Sequence, residues 1–370
     1  MRLRSPDTEA RPTWLELFFD LVFVVVIARL SDLLAAHPEP KDFFEYFGLF
    51  VAVWFTWVGF TVYSDRFEVD DVLHRLLVLG AMLATIVVAI HVDDAFGGGS
   101  TPFALGSIAV RVLLVAVNLR AMRALAEARR FERLYVVGWS IGIALWVASL
   151  AVPTPARYVV WGVAVVVEVL TPLVSERLMG RLPLISAHIA ERFGLFTIIV
   201  LGESVVSVGA GIANVNFALT DSLIAAGTFT IAAALWWLYF DCLTTRHADS
   251  ASFVYAHAFV YAGLGVVAPG ALLCILGADD PSLRGGARAA LFGGVMLYLA
   301  GLAVIEATSR GGEPAWRRMR MRALAAVAAL GLALTTADVA PVVAVALLTA
   351  VVVAELVYEL VAFPRPRTAA

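Results

Sequence analysis

Residues 253–277 read FVYAHAFVYAGLGVVAPGALLCILG, a run of 25 residues without aspartate, glutamate, lysine or arginine. An α-helix rises about 1.5 Å per residue, so a helix of this length can cross the roughly 30 Å hydrocarbon core of a bilayer. A strand of a membrane β-barrel would instead alternate apolar and polar residues over about ten positions. This run is continuously apolar, and it therefore predicts a membrane-spanning helix.

The composition of the whole chain also indicates a protein that is surrounded by lipid. Of its 370 residues, 61% are hydrophobic and 15% are charged, against about 45–50% and 25% in soluble domains. So few charges cannot cover the surface of a soluble globular protein of this size, and that class is excluded. The net charge of −3 gives no overall preference for nucleic acid. The two cysteines, Cys242 and Cys274, lie in apolar runs, so neither a disulfide framework nor a cysteine metal site is indicated.

Apolar runs long enough to cross a bilayer occur at twelve places along the chain. They predict an all-α integral membrane protein with about twelve transmembrane helices. The predicted spans are 13–35, 42–63, 74–92, 102–122, 133–152, 156–175, 188–212, 219–241, 253–277, 286–306, 320–336 and 339–361.

The basic residues predict the orientation of these spans. Twenty of the 27 lysines and arginines fall at the termini and in every second loop, and four fall in the opposite loops. Cytoplasmic loops collect basic residues, so both termini are expected in the cytoplasm. An even number of spans satisfies this arrangement.

The two halves of the chain resemble each other at an offset of about 183–187 residues. The matching landmarks are Trp54 with Trp236, His74 with His257, Asp93–Asp94 with Asp279–Asp280, and Glu168 with Glu355. They predict two six-helix repeats of the same orientation, related by an axis along the membrane normal. Chance matches in a chain rich in alanine and valine are the alternative. The predicted organisation is a cytoplasmic segment at 1–12, a first repeat at 13–175, a cytoplasmic linker at 176–187, a second repeat at 188–361 and a cytoplasmic tail at 362–370.

Charged side chains within the spans are the candidate functional groups. Each costs roughly 2.5–3.5 kcal/mol to insert near the bilayer centre, so each needs a partner or a purpose. Glu16 and Asp20 are four residues apart and share one face of the first helix. The repeat can be aligned with Asp20 opposite Glu203 or with Glu16 opposite Glu191, and both registers stay open. The ion-binding candidates are Asp20, Glu203, Glu16, Glu191, Ser207 and Asn214.

A purely structural role is the alternative for these groups. Arg29, Arg111, Glu168 and Glu355 are the candidate intramembrane charge partners, and either arginine could neutralise Asp20. His74 and His257 begin corresponding spans, where they could sense cytoplasmic pH or act only as polar anchors. No metal-binding motif, cofactor motif or catalytic motif is present, so neither an enzyme nor a bound cofactor is expected.

Two longer motifs resemble a known family. Thr13 to Asp20 reads TWLELFFD and continues as LVFVVVIARLSDLL, and His188 to Ser204 reads HIAERFGLFTIIVLGES. Both motifs resemble the bacterial low temperature requirement A (LtrA) membrane proteins, in the same order along the chain. The resemblance implies a polytopic protein of the bacterial inner membrane, and it implies no biochemical activity.

A second resemblance concerns Phe18 to Phe23, which looks like the first helix of the TMEM175-type potassium channels. In this chain Phe19 replaces the serine of that motif, and Trp14 stands where a basic residue is expected. The intramembrane carboxylates predict transport of a small ion or solute. A non-transporting structural or sensory protein and a cation channel of that type are the alternatives. The expected partners are the lipid bilayer and the transported species, and association with further copies of the chain is left open.

Overall fold

A computed structural model describes residues 1–4, 12–179, 186–240, 251–309 and 312–363. The predicted cytoplasmic segment, linker and tail lie partly outside these residues, and Cys242 lies wholly outside them. Helices account for nearly all of the described chain, which confirms the all-α class. The helices are α1 (Trp14–Ala36), α2 (Pro40–Arg66), α3 (Val72–His91), α4 (Ser100–Ala124), α5 (Arg129–Ser149), α6 (Ala156–Met179), α7 (Ser186–Ala213), α8 (Leu219–Phe240), α9 (Ala251–Leu276), α10 (Gly285–Thr308), α11 (Gly312–Thr335) and α12 (Pro341–Ala362).

Two very short strands lie outside the helices, one before α1 and one between α2 and α3. The strands are β1 (Arg2–Leu3) and β2 (Phe67–Glu68), which pair antiparallel with Arg2 opposite Glu68. The Arg2 guanidinium also forms an ion pair with the Glu68 carboxylate at 2.8 Å. The chain at Arg2–Leu3 is thereby attached to the connection between α2 and α3.

Nine of the described helices are long and apolar enough to cross a membrane. They are α2, α3, α4, α6, α7, α8, α9, α10 and α12. The other three, α1, α5 and α11, carry several charged residues each. Four charged residues are distributed along α1, whereas those of α5 and α11 are concentrated in the first half of each helix. The polytopic character predicted from the sequence is therefore confirmed, whereas the number twelve stays a prediction.

Many large apolar side chains point outward from these helices. Leu83 on α3 and Val159 on α6 are 66% and 69% exposed, and similar residues occur on most of the other helices. A soluble monomer rarely exposes contiguous apolar surface on this scale. Lipid is the environment that such a surface requires.

The chain divides into two compact units, each of which draws on both halves of the sequence. The first unit comprises Met1–Leu30, Phe44–Phe196 and Ala248–Ala251, and the second comprises Ser31–Phe43, Thr197–His247 and Ser252–Ala370. In the first unit α4 packs against both α3 and α5, and α5 packs against α6. In the second unit α11 packs against α10 and α12, and α12 packs against α8.

Glycines let α9 and α10 of the second unit approach each other closely. A Cβ atom added to Gly263 on α9 would lie 2.6 Å from the carbonyl oxygen of Gly294 on α10. One added to Gly270 would lie 2.3 Å from the backbone nitrogen of Leu291. Small residues at such crossings let helix backbones approach closely in a membrane. The two helices therefore pack backbone against backbone.

Candidate functional site

The first turn of α1 positions a carboxylate at the edge of the first unit. The Thr13 hydroxyl accepts a hydrogen bond from the Glu16 backbone N–H at 3.3 Å, and the Glu16 carboxylate accepts one from the Thr13 N–H at 2.6 Å. This reciprocal arrangement is a capping box, which begins the helix and turns the glutamate back toward its N-terminus. Glu16 is 8% exposed.

One turn later, Asp20 is fully buried and paired. Arg192 on α7 forms an ion pair with Asp20, and Trp57 on α2 donates a hydrogen bond from Nε1 to Asp20 Oδ1 at 2.8 Å. The Arg192 guanidinium also lies 5.6 Å from the centre of the Trp57 ring, within the range of a cation–π contact. Asp20 therefore joins α1, α2 and α7 in the interior of the first unit.

A buried histidine lies between the Glu16 carboxylate and a third carboxylate, Asp65. His188 Nδ1 is 3.0 Å from Asp65 Oδ1, and His188 Nε2 is 3.6 Å from Glu16 Oε2. His188 and Asp65 have fully buried side chains. Arg4 Nη2 lies 3.8 Å from the other Glu16 oxygen. The imidazole thus has a carboxylate on each side, and Glu16 is the more exposed of the two.

These groups form a set that we call the His188 cluster. It consists of Glu16, Asp20, Trp57, Asp65, His188 and Arg192. Spacings of four residues on α1 and α7, and of eight on α2, place the members on one face of each helix. An aromatic group encloses the cluster on one side, with Phe196 at 4.5 Å and Phe193 at 5.1 Å from the Trp57 ring centre.

A cavity of about 840 Å³ borders the cluster within the first unit. Glu16 and Arg192 reach its wall from the cluster. The remaining wall combines charged side chains with aromatic and aliphatic ones. They include Arg4, Thr13, Phe18, Phe19, Phe60, Asp70, His74 and Arg75. A cavity of this size can admit a hydrated ion or a small solute.

The cluster can exchange protons or bind a cation. An imidazole titrates near neutral pH, and a flanking carboxylate can pass a proton to it or take one from it. Three carboxylates also supply the oxygen ligands that alkali and alkaline-earth cations prefer. Among the described residues, however, no group of histidine, cysteine and acidic side chains is arranged to hold a metal ion. Proton exchange therefore fits this geometry better than metal binding.

The other ion-binding candidates lie apart from the cluster. Glu191 is exposed although it is adjacent in sequence to Arg192. Glu203 is half-buried in the second unit, with Asp32 as a charged neighbour, and Ser207 is buried one turn further along α7. Asn214 is exposed and donates a hydrogen bond to the Ala210 carbonyl at the end of that helix. Asp20 and Glu203 belong to different units.

The candidate charge partners have definite neighbours in the structure. Arg29 forms an ion pair with Asp93 at the edge of the first unit. Arg111 on α4 binds Glu168 on α6 through two hydrogen bonds of 2.6 and 2.8 Å, and both are buried. Arg29 and Arg111, the expected candidates for neutralising Asp20, therefore pair elsewhere. Glu355 is buried in the second unit.

The two candidate pH-sensing histidines differ in their surroundings. His257 is fully buried, and its nitrogens lie 2.9 Å from the Tyr239 hydroxyl and 2.7 Å from the Phe253 carbonyl. His74 lines the cavity, and Asp71 caps its helix by accepting from the His74 N–H. Hydrogen bonds from Arg120 and from this N–H lower the pKa of Asp71 to about 2. The cap therefore stays charged throughout the range in which a histidine titrates.

Sequence reasoning missed the importance of Asp65, His188 and Arg192. Asp65 follows the predicted end of the second span at 63, whereas α2 continues to Arg66. His188 and Arg192 lie four residues apart, a spacing that places both on one face of α7. That spacing was the available signal, and it stood within one of the two family-like motifs.

Comparisons with known proteins agree with these motifs. The family model of the bacterial low temperature requirement A protein (LtrA) matches residues 11–354. An uncharacterized protein of Rhizobium meliloti (strain 1021) is 29% identical over 321 residues, which cover 81% of this chain and 78% of that protein. The family-model match includes both motifs and every helix of the His188 cluster, so the resemblance inferred from the sequence is confirmed. The chain belongs to the bacterial low temperature requirement A (LtrA) family.

Proposed function

We propose that this protein moves a small ion or solute across the bacterial inner membrane, with the carboxylates of the His188 cluster as its binding groups. The observation that carries the proposal is the position of Glu16, which joins the buried cluster to the cavity of the first unit. Buried ionisable groups beside a cavity in a membrane protein mark ion pathways and proton relays. The transported species that fits these groups is a proton or a small cation.

The proposal includes twelve spans in two six-helix repeats. Its support is that the sequence landmarks fall on corresponding helices: Trp54 and Trp236 on α2 and α8, and Glu168 and Glu355 on α6 and α12. The charges of α1 are compatible with a span, because Glu16, Asp20 and Arg29 each have a partner of opposite charge. Both termini are proposed to lie in the cytoplasm on the basis of the arginine distribution.

Cysteine labelling tests this orientation. Gly98 and Arg123 are exposed at opposite ends of α4. In a background without native cysteines, Gly98→Cys is expected to react with a membrane-impermeant maleimide on intact spheroplasts, and Arg123→Cys only after lysis. The reverse pattern would overturn the proposed orientation, and equal labelling of both in intact cells would show that α4 does not span.

Flux measurements test the transport proposal. The protein is reconstituted in vesicles loaded with a pH-sensitive dye, and a pH gradient is imposed in the presence of Na⁺ or K⁺. Wild-type protein is expected to speed the decay of this gradient under at least one condition. Glu16→Gln should slow that decay tenfold or more, since losing about 1.4 kcal/mol of stabilisation changes a rate tenfold.

Glu191→Gln is the matched control, because it neutralises an exposed carboxylate on α7 outside the cluster. Its flux should equal that of the wild type. Glu16→Gln protein must elute as a folded species in detergent, so that lost flux reports on the site. A wild-type protein without flux under any condition, or a fully active Glu16→Gln variant, would contradict the proposal.

A non-transporting structural or sensory membrane protein is the second candidate. The observation in its favour is the pairing of Asp20 with Arg192 in a fully buried site, which would hold three helices together without any ligand. The channel resemblance receives less support. Phe19, which replaces the serine of that motif, packs at 4.8 Å from Phe23 and 4.9 Å from Phe60 in an aromatic group.

A further inference from the structure

A second group of buried charges lies within the second unit, where α10, α11 and α12 meet. Arg322 on α11 contacts Glu306 on α10 at 3.1 Å and Glu359 on α12 at 3.7 Å. Arg318 on α11 lies 2.7 Å from the same oxygen of Glu359. We call this group, with Glu355, the Arg322 cluster. Its arginines already have carboxylate partners.

Glu355 is the carboxylate of the cluster for which the described residues provide no ion pair, whereas Glu306 and Glu359 each contact an arginine. It is 3% exposed, and neither of its carboxylate oxygens has a hydrogen-bond partner among the described residues. It lies one turn before Glu359 on the same face of α12. Arg322 and Glu359 are the charged groups whose fields reach it. A buried carboxylate in this position is expensive to keep ionised, because nothing replaces the hydrogen bonds of water.

Glu168, the counterpart of Glu355 in the first half of the sequence, has the missing partner. Arg111 on α4 supplies two hydrogen bonds to Glu168 from the neighbouring helix. The corresponding helix α10 carries a single basic residue, Arg288, in its first turn and far from its glutamate end. No arginine of α10 is therefore available to Glu355.

Among the described residues, no side chain of the other neighbouring elements forms an ion pair or a hydrogen bond with Glu355. On α10 the facing charged residue is Glu306, on α11 they are Arg318 and Arg322, and on α12 it is Glu359. Helix α8, which packs against α12, has Asp221 as its single charged residue, and that side chain binds the Ala218 N–H at the start of its own helix. A buried carboxyl group that has neither an ion pair nor a hydrogen bond is most stable in its neutral form.

We propose that Glu355 is a proton-binding site in the second unit, occupied at neutral pH. A proton fits better than a metal cation, because a metal would need several oxygen ligands and the nearby carboxylates of Glu306 and Glu359 already pair with arginines. The site is independent of the His188 cluster. Its test requires no flux, so the two proposals stand or fall separately.

A hydrophobic carbodiimide tests the proposal on the unmodified full-length protein. Carbodiimides add to protonated carboxyl groups in apolar surroundings and leave a stable N-acylurea, which peptide mass spectrometry can locate. Labelling is expected at Glu355 at neutral pH and should decline at alkaline pH. The ion-paired Glu306 and Glu359 should stay unlabelled. Modification of Glu359 but not Glu355, or no modification of Glu355 at any pH, would overturn the proposal.

Thermal stability of a neutral variant gives a second readout. The wild-type melting temperature in detergent should fall by several degrees as the pH rises from about 4.3, the ordinary pKa of glutamate, through neutrality, because the folded protein holds a proton that the unfolded chain has released. Glu355→Gln should remove most of this pH dependence. Glu359→Gln, which breaks an ion pair, should lower the melting temperature at every pH instead. Parallel pH profiles of Glu355→Gln and wild type would refute proton binding. So would Na⁺-dependent stabilisation that Glu355→Gln abolishes, since this would assign the site to a metal cation.

Discussion

Replacing Arg111 with leucine is expected to destabilise the protein by about 3–5 kcal/mol, because it leaves a buried carboxylate without its cation. Arg111 donates two hydrogen bonds to Glu168 and one to the Ala52 carbonyl, at 3.1 Å. Its guanidinium lies 4.7 Å from the ring centre of Trp146, which itself donates to Glu168 at 3.2 Å. One side chain thereby connects α2, α4, α5 and α6. The measurement is the melting temperature in detergent.

Two further variants separate the ion pair from the loss of one large side chain. Arg111→Leu combined with Glu168→Leu should recover much of the lost stability, since no charge then remains buried without a partner. Arg75→Leu is the control, because Arg75 and Asp70 form an ion pair with side chains 60% and 76% exposed. Such a surface pair contributes about 0–1 kcal/mol. An Arg111→Leu protein as stable as Arg75→Leu would contradict a structural role for the buried pair.

Gly142 shows how closely the surrounding helices fit this pair. A Cβ atom added at Gly142 on α5 would lie 2.7 Å from Glu168 Oε1. The missing side chain leaves the space that the carboxylate occupies. The pair and its glycine therefore form one packing arrangement in the first unit, and its chemistry is that of a scaffold.

The sequence predicts those parts of the fold that depend on a single helix. Long apolar runs predicted the helices, because burying a backbone in lipid requires complete internal hydrogen bonding. The spacing of Glu16 and Asp20 correctly indicated one shared face of α1. In both cases the information lies within about one turn or one span of the chain.

Contacts between helices could not be predicted in the same way. Arg192 is 172 positions from Asp20, and nothing in the local sequence selects it over Arg29 or Arg111. The choice is made by packing, which brings one face of α7 against α1 and α2. Asp65 was missed for a different reason, because the apolar signal ends before the helix does. The last turn of α2 is amphipathic and binds polar groups, so hydropathy along the sequence does not identify it as part of the span.

Charged helices mark another limit of sequence reasoning. The charged residues of α1 lower its mean hydropathy. In the structure, however, Glu16, Asp20 and Arg29 each have a partner of opposite charge. A paired charge costs much less in an apolar environment than the isolated charge that hydropathy scales describe. The span count thus depends on tertiary contacts that no window along the sequence contains.

The pair of Asp20 and Arg192 is expected to give the second large effect, and it also separates transport from scaffold. Asp20→Asn removes the ion-pair partner of the buried Arg192, so it should destabilise the protein by about 3–5 kcal/mol. Arg192→Gln should cost a similar amount, because it leaves the Asp20 carboxylate buried without its arginine. Trp57→Phe removes one hydrogen bond to the carboxylate and should cost less, about 1.5–3 kcal/mol. Melting temperatures of the purified variants provide the comparison.

The double variant Asp20→Asn with Arg192→Gln decides the role of the pair. The double variant carries no net change in charge. Its loss of stability should be well below the sum of the two single losses, because residues in direct contact couple. Additive losses would show that the two side chains do not interact as the structure indicates. If the stable double variant retains the flux that Glu16→Gln loses, then Asp20 and Arg192 only hold α1, α2 and α7 in place. Loss of flux from a stably folded double variant would instead extend the binding site inward from Glu16 to Asp20.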